Sequence, residues 1–180
     1  MNKKLLDKLV SVPGLLNYSK PGEEDIEIRP GVFSPVYLNV KSIWGYPEIL
    51  KEVTHDLIRL CAGVSHIIGI ETGGSPYATL ISQKLKLNLI LCRKQAKGAL
   101  EFLAGDINGN GNFVIVDDVI ATGQSMRKAI EIIKAKGKNV RLTAIFRACY
   151  KINCHISSNC IIPFWINLVF FDINFIKFFF

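Results

Sequence analysis

The sequence predicts an α/β protein with a mainly parallel central sheet flanked by helices. Three observations carry that reading. Short apolar runs alternate with amphipathic helical stretches from Tyr46 onward. The order is strand, helix, strand, loop, strand, helix, strand, with no internal repeat. The chemically unusual stretches each follow a strand directly, at the carboxyl edge where ligands bind in such sheets.

Each element has its own warrant. Ile49, Val53, Leu57 and Leu60 recur at helical spacing among Glu48, Lys51, Glu52 and Asp56, so a helix runs from Tyr46 and ends near Gly63. "SHIIGI" is a short buried strand. It is followed by the Gly-rich turn "ETGGSP" and a second helix from Pro76, a residue suited to a first helical turn. "LNLILC" is the next strand. Arg93 to Asn112 carries no sustained apolar period and is expected to be a loop or mobile flap. "FVIVDD" is a third buried strand and "VIATGQ" its exit loop. Ser125 is expected to cap a helix whose Met126, Ala129, Ile130 and Ile133 share a face, and Gly137 is placed to end it. "VRLTAIF" is β-rich and makes a fourth strand.

At 180 residues the chain suits a single domain with a real core. Its formal charge of +7 favours anionic partners, but the basic residues are scattered, with short clusters only at Lys3-Lys4 and from Arg93 to Lys97. Of the five cysteines, Cys61 and Cys92 sit beside apolar runs, and Cys149, Cys154 and Cys160 with His155 match no familiar zinc spacing. Reduced thiols in a cytoplasmic protein are the expectation. Asp7, Lys8, Ser11 and Pro13 interrupt the N-terminus before a signal-peptide core forms. The hydrophobic tail "CIIPFWINLVFFDINFIKFFF" is broken by Pro163, Asn167, Asp172, Asn174 and Lys177, short of the roughly 18 to 20 apolar residues of a membrane span. A terminal strand with a packed end is expected there. His55, His66 and His155 are dispersed and read as packing or surface residues.

The stretch "FVIVDDVIATGQS", Phe113 to Ser125, concentrates the chemistry. Two adjacent carboxylates at the end of a buried strand are costly unless a ligand offsets them. The turn after them lies at a helix N-terminus, where free N–H groups and the helix dipole favour an anion. Thr122 and Ser125 add hydroxyl donors, and Gly123 allows close approach. No G-x-x-x-x-G-K-[ST] occurs, so an ATPase loop is unsupported. Asp117 and Asp118 would repel a phosphate but accept hydrogen bonds from sugar hydroxyls, or hold Mg²⁺ indirectly. A phosphate site beside a hydroxyl-accepting site describes a ribose 5-phosphate.

In length, order and context this stretch resembles the phosphoribosyl pyrophosphate signature of the type I phosphoribosyltransferases. Other stretches are similar to the orotate phosphoribosyltransferases: "SPVYLNVKSIWGYPEIL" to the segment after their first hairpin, "TGGSPYA" to their pyrophosphate loop, "RKQAK" to the opening of their catalytic loop, and Arg147 in "AIFRA" to an orotate-contacting arginine. The resemblance spans about Arg29 to Arg147. It implies the type I phosphoribosyltransferase fold over residues 1–180, with 1–45 and 150–180 contributing a small hood. It also implies transfer of phosphoribosyl from phosphoribosyl pyrophosphate to orotate, with Mg²⁺ carried mainly by substrate. Ala121, Thr122, Gly123, Gln124 and Ser125 would hold the 5-phosphate, and Asp117 and Asp118 the ribose hydroxyls. Thr72, Gly73 and Gly74, with Arg93, Lys94 and the catalytic Lys97, would hold pyrophosphate. Arg29 and Arg147 would pair with orotate. A homodimer is implied, and neither a membrane nor nucleic acid is a partner.

The sequence departs from the family pattern in places. Lys97 is followed by "GALEFLAG" instead of a longer stretch with an Asp-His-Gly-like sequence, Ala121 stands at a position often Thr, Pro30 where Ser is usual, and Phe146 where an aspartate normally precedes the arginine. Two alternatives stay open on these residues. One is a phosphoribosyl-pyrophosphate sensor binding nucleic acid through its basic surface, and the other is a purine-base transferase.

Overall fold

The computed structural model describes residues 3–29, 31–93, 102–120 and 123–147. The chain opens with helix α1 (Lys3–Val10), strand β1 (Leu16–Tyr18), the hairpin of β2 (Ile26–Arg29) and β3 (Val32–Ser34), and β4 (Val36–Leu38). β1 pairs antiparallel with β4, and β2 with β3 across an irregularity at Glu27 and Arg29. A 3₁₀ turn (Val40–Gly45) leads into α2 (Pro47–Ile58), whose first turn carries the proline. The α-helix stops earlier than its apolar spacing suggests: Arg59–Cys61 is a 3₁₀ turn, which carries the chain to the glycine-bearing turn.

Next come β5 (His66–Ile70), α3 (Ser75–Leu85), β6 (Asn88–Cys92), β7 (Leu103–Ala104), β8 (Asn112–Ile120), α4 (Gln124–Ala135) and β9 (Asn139–Arg147). They build one five-stranded sheet in the order β7-β6-β5-β8-β9. β6, β5, β8 and β9 are parallel, and β7 is an antiparallel edge. β5 is buried along its whole length, as its unbroken apolar run requires when both faces are covered.

The structure corrects three sequence expectations. The segment from Arg93 to Asn112 is not all loop, because Leu103 and Ala104 pair with Cys92 and Leu91. Val119 and Ile120 are not exit loop but strand, paired in register with Phe146 and Arg147. Ser125 is not the helix cap. Gly123 takes that place at φ +71°, a left-handed conformation open to glycine at little cost, and no side chain bonds the helix end. The terminal strand expected after Cys154, like Cys149, Cys154, His155 and Cys160, lies outside the described residues.

Two cores lie on the two faces of the sheet. Ile67, Val114 and Val116 pack with Tyr77, Ala78 and Ile81 of α3, Val53 and Leu57 of α2, and Leu5, Leu9, Leu15 and Leu38 from the N-terminal elements. Ile68, Ile70, Phe113 and Ile115 pack instead with Met126, Ala129 and Ile133 of α4. The helical face read from the sequence is thus the one α4 buries.

At the amino edge of the sheet, His66 is a packing residue. Its ring stacks on Phe113 with centroids 4.2 Å apart. Nε2 accepts from the Asn88 amide at 3.1 Å, so Nδ1 carries the proton toward Ser65 Oγ at 2.7 Å. Burial pushes its pKa down; Asp106 opposes that and Lys138 reinforces it. The folded state therefore prefers neutral His66, and this stabilisation is complete above the unfolded pKa of about 6.5 and is lost as pH falls below it. Thermal denaturation between pH 8 and pH 5 should show a fall in midpoint that is smaller in His66→Gln. An unchanged slope in the variant would assign the pH dependence elsewhere.

Candidate active site

The carboxyl ends of β5, β6 and β8 converge on one edge, and the turn after β5 is seated most closely. Gly74 N–H bonds to Ile70 O at 2.8 Å, starting α3 immediately after the strand. A cis peptide joins Glu71 to Thr72. Thr72 is exposed, while Gly73 and Gly74 are buried. Neither glycine has space for a side chain. A Cβ on Gly73 would stand 2.1 Å from the Asp118 carboxylate, and one on Gly74 2.1 Å from Val116 O. The glycine turn therefore lies directly on the end of β8, with the Asp118 carboxylate against it.

The two aspartates serve different sides. Asp117 is 8 % exposed, and its charge reaches the Cys92 thiol on the α4 side. Burial pushes that thiol's pKa up; Lys128 opposes this while Glu71 and Asp117 add to it. Asp118 is half-buried and turned toward Gly73 and α3. Each carboxylate bonds the next backbone N–H: Asp118 N to Asp117 Oδ1 at 2.9 Å, and Val119 N to Asp118 Oδ1 at 2.8 Å. Among the described residues no group of three His, Cys, Asp or Glu forms a metal site. The donor set suits a cation that arrives with most of its ligands supplied by substrate and water, as Mg²⁺ on a pyrophosphate does.

Arg93, at the end of β6, reaches Glu71 at the end of β5, with Nε 3.8 Å from Oε1. Arg93 N–H bonds to Phe102 O at 2.7 Å, which brings together the two ends of segment 94–101. Lys128 of α4 lies over the Phe102 ring at 3.8 Å and ties that base to the helix after the aspartate stretch. Gln124 and Ser125 open α4 and are exposed, beside the left-handed Gly123. Lys94, Lys97, Ala121 and Thr122 lie outside the described residues. Arg29 and Arg147 end β2 and β9, but their side chains are not among those described.

The structure thus brings Gly73, Gly74, Asp117, Asp118 and Arg93 to one edge, with Gly123, Gln124 and Ser125 following β8. Sequence reasoning missed Glu71, Ser75 and Tyr77. An acid just before the glycine turn was a readable signal for Glu71. Ser75 and Tyr77 read as the first turn of a helix.

A parallel sheet with a glycine turn laid on an acidic strand end, followed by an open helix N-terminus, defines a phosphoribosyltransferase domain. A family model with that description, phosphoribosyl transferase domain, matches residues 47–151. A curated orotate phosphoribosyltransferase of Methanopyrus kandleri is 30% identical over 143 residues, covering 78% of this chain and 75% of its own length. One of Pyrobaculum aerophilum is 32% identical over 125 residues, covering 67% and 64%. The crystal structure of orotate phosphoribosyltransferase from Aeropyrum pernix matches with a TM-score of 0.64 at 25% identity, covering 81% of this chain and 80% of that one. The chain belongs to the phosphoribosyltransferase family and, within it, to the orotate phosphoribosyltransferases. It spans under two thirds of the length of several of these relatives, 64% and 60% for two of them.

Proposed function

We propose that the protein transfers the 5-phosphoribosyl group of phosphoribosyl pyrophosphate to orotate, giving orotidine 5'-phosphate and pyrophosphate. The observation that carries this is the seating of Gly73 against the Asp118 carboxylate, a glycine turn suited to pyrophosphate beside a carboxylate suited to ribose hydroxyls. The sequence relatives named orotate phosphoribosyltransferases support orotate as the base.

In this reading N1 of orotate attacks C1 of the donor as the bond to pyrophosphate breaks, through a ribose with oxocarbenium character, and the N1 proton leaves to the released pyrophosphate or to water. Charge grows on the departing oxygen, so the protein contributes positioning and electrostatics, and no nucleophilic side chain is needed. Thr72 and Gly73 hold pyrophosphate by backbone donors, with Arg93, Lys94 and Lys97 neutralising it; Gly74, whose N–H is taken by Ile70 O, contributes the close seating of the turn. The Glu71 carboxylate keeps Arg93 at the strand end. Asp117 and Asp118 accept from the ribose hydroxyls, and residues 121–125 hold the 5-phosphate at the α4 N-terminus. Arg29 and Arg147 pair with the carboxylate and ring oxygens of orotate. Mg²⁺ supplies charge neutralisation on the pyrophosphate.

The reading includes a hood from 1–45 and 150–180, and a homodimer. It also includes a cytoplasmic setting, in keeping with the buried, reduced thiol of Cys92. Among the described residues no helix is long and apolar enough to cross a membrane.

Pyrophosphate release with phosphoribosyl pyrophosphate, Mg²⁺ and orotate, run beside uracil, adenine and hypoxanthine, tests the proposal. Turnover is expected with orotate, and Lys97→Ala should lower kcat by about 100-fold or more, the scale for removing one donor to a developing charge. Donor binding without turnover on any base would overturn the enzymatic reading.

A further inference from the structure

The face of the sheet packed by α3 holds polar atoms that the site as described leaves unexplained. Trp44 Nε1, Ser75 Oγ and Tyr77 Oη are buried, and none has a hydrogen-bond partner among the described residues. An unpaired buried donor is costly, and native structures keep few of them. Ser75 opens α3 next to the glycine turn and belongs with that turn's donors. Tyr77 and Trp44 have no such place, yet Tyr77 is wholly buried.

Both residues lie on the Asp118 side of the sheet. Tyr77 enters the cluster of Val114 and Val116, and Trp44 packs against the same cluster from the 3₁₀ turn that lies along β8. Asp118 follows Val116 by two residues and turns its carboxylate to Gly73, at the start of the turn that leads into Tyr77's helix. Burial holds the phenol in its neutral form, and the nearby Asp118 charge adds to that. Trp44 Nε1 stands close enough to ease the phenol's ionisation slightly, yet outside hydrogen-bond geometry. Chemistry fixes the order of such a chain. An indole N–H only donates, a carboxylate only accepts, and a phenol does both.

We propose that Tyr77, backed by Trp44, is a positioning residue for Asp118. Trp44 N–H donates to Tyr77 Oη, and the phenol O–H donates to the Asp118 carboxylate when the site is filled. Asp118 Oδ1 already accepts from Val119 N–H. A second donor from the core side fixes the carboxylate plane and leaves its remaining lone pairs directed at the ribose hydroxyls. This rests on the assignment of Asp118 to ribose given above.

The test is calorimetric titration with Mg²⁺ and phosphoribosyl pyrophosphate, alongside thermal denaturation, for the parent, Tyr77→Phe, Trp44→Phe and both variants in an Asp118→Asn background. Tyr77→Phe is expected to weaken donor binding about tenfold, the scale of one hydrogen bond to a charged group, while its melting temperature stays level or rises. Trp44→Phe should weaken binding in the same direction, and the Tyr77→Phe effect should shrink in the Asp118→Asn background. Parental donor affinity in Tyr77→Phe, or the same loss with Asp118 already replaced, would overturn the positioning role and leave the proposed reaction standing. Failure of the parent to bind the donor would overturn both.

Discussion

Gly74→Ala is expected to fold poorly, with a melting temperature about 6–12 °C below the parent. The estimate takes about 3 kcal/mol for overpacking and about 2–4 °C per kcal/mol at this chain length. The backbone is not the cause. Gly74 has φ −78° and ψ −19°, values that alanine adopts freely. The cost is steric, because the new Cβ would stand 2.1 Å from Val116 O and 2.8 Å from Ile70 N. Both are backbone atoms of the two central strands. Val116 pairs with Gly69 on one side and Thr143 on the other, so it cannot retreat without loosening two ladders. Circular dichroism melting checks the prediction, and a parental midpoint would mean that the glycine turn does not seat on β8.

The same packing explains what the sequence discloses and what it hides. The order of strands and helices is legible because buried parallel strands need unbroken apolar runs, and α3 and α4 each present one apolar face. The end of β8 is harder to read. Adjacent aspartates look like a strand's end because burying them is costly, yet β9 runs alongside in register as far as Arg147 and holds Val119 and Ile120 in the ladder. β7 is only two residues long, too short for any period, and its pairing with β6 is its only signature. The α4 cap is supplied by a backbone conformation, so a search for a capping side chain settles on Ser125 and passes over Gly123.

At the site, the aspartates and the glycine turn are legible because their composition is abnormal for a core. Which of them touch is not. Gly73 meets Asp118 across 45 residues of sequence, through the pairing of β5 with β8. Tyr77 and Trp44 are hidden for the opposite reason: an aromatic residue at a helical or turn position reads as packing, and only an unpaired polar atom shows otherwise.

Gly73→Ala is expected to fall on function and largely spare stability, although it changes the neighbouring residue in the same way. What its Cβ would meet first is a side chain. The three nearest atoms are Cγ, Oδ1 and Oδ2 of Asp118, at 2.1 to 2.3 Å. A carboxylate can rotate away where a carbonyl in a sheet cannot, and rotation also breaks its bond to Val119 N–H. Folding should then lose about 1 kcal/mol, the net worth of one hydrogen bond. Donor recognition should lose both the ribose contact and the close approach of pyrophosphate to the turn. We expect kcat/KM for phosphoribosyl pyrophosphate to drop by about 100-fold or more, since misplacing a positioning group by about 1 Å costs on that order. Asp118→Gly supplies the control. In that background the space beside residue 73 is empty, so adding Gly73→Ala should cost far less than it does in the parent. Steady-state kinetics and melting of the two single variants and the double variant decide the matter. Additive losses would show that residue 73 and the Asp118 carboxylate act independently.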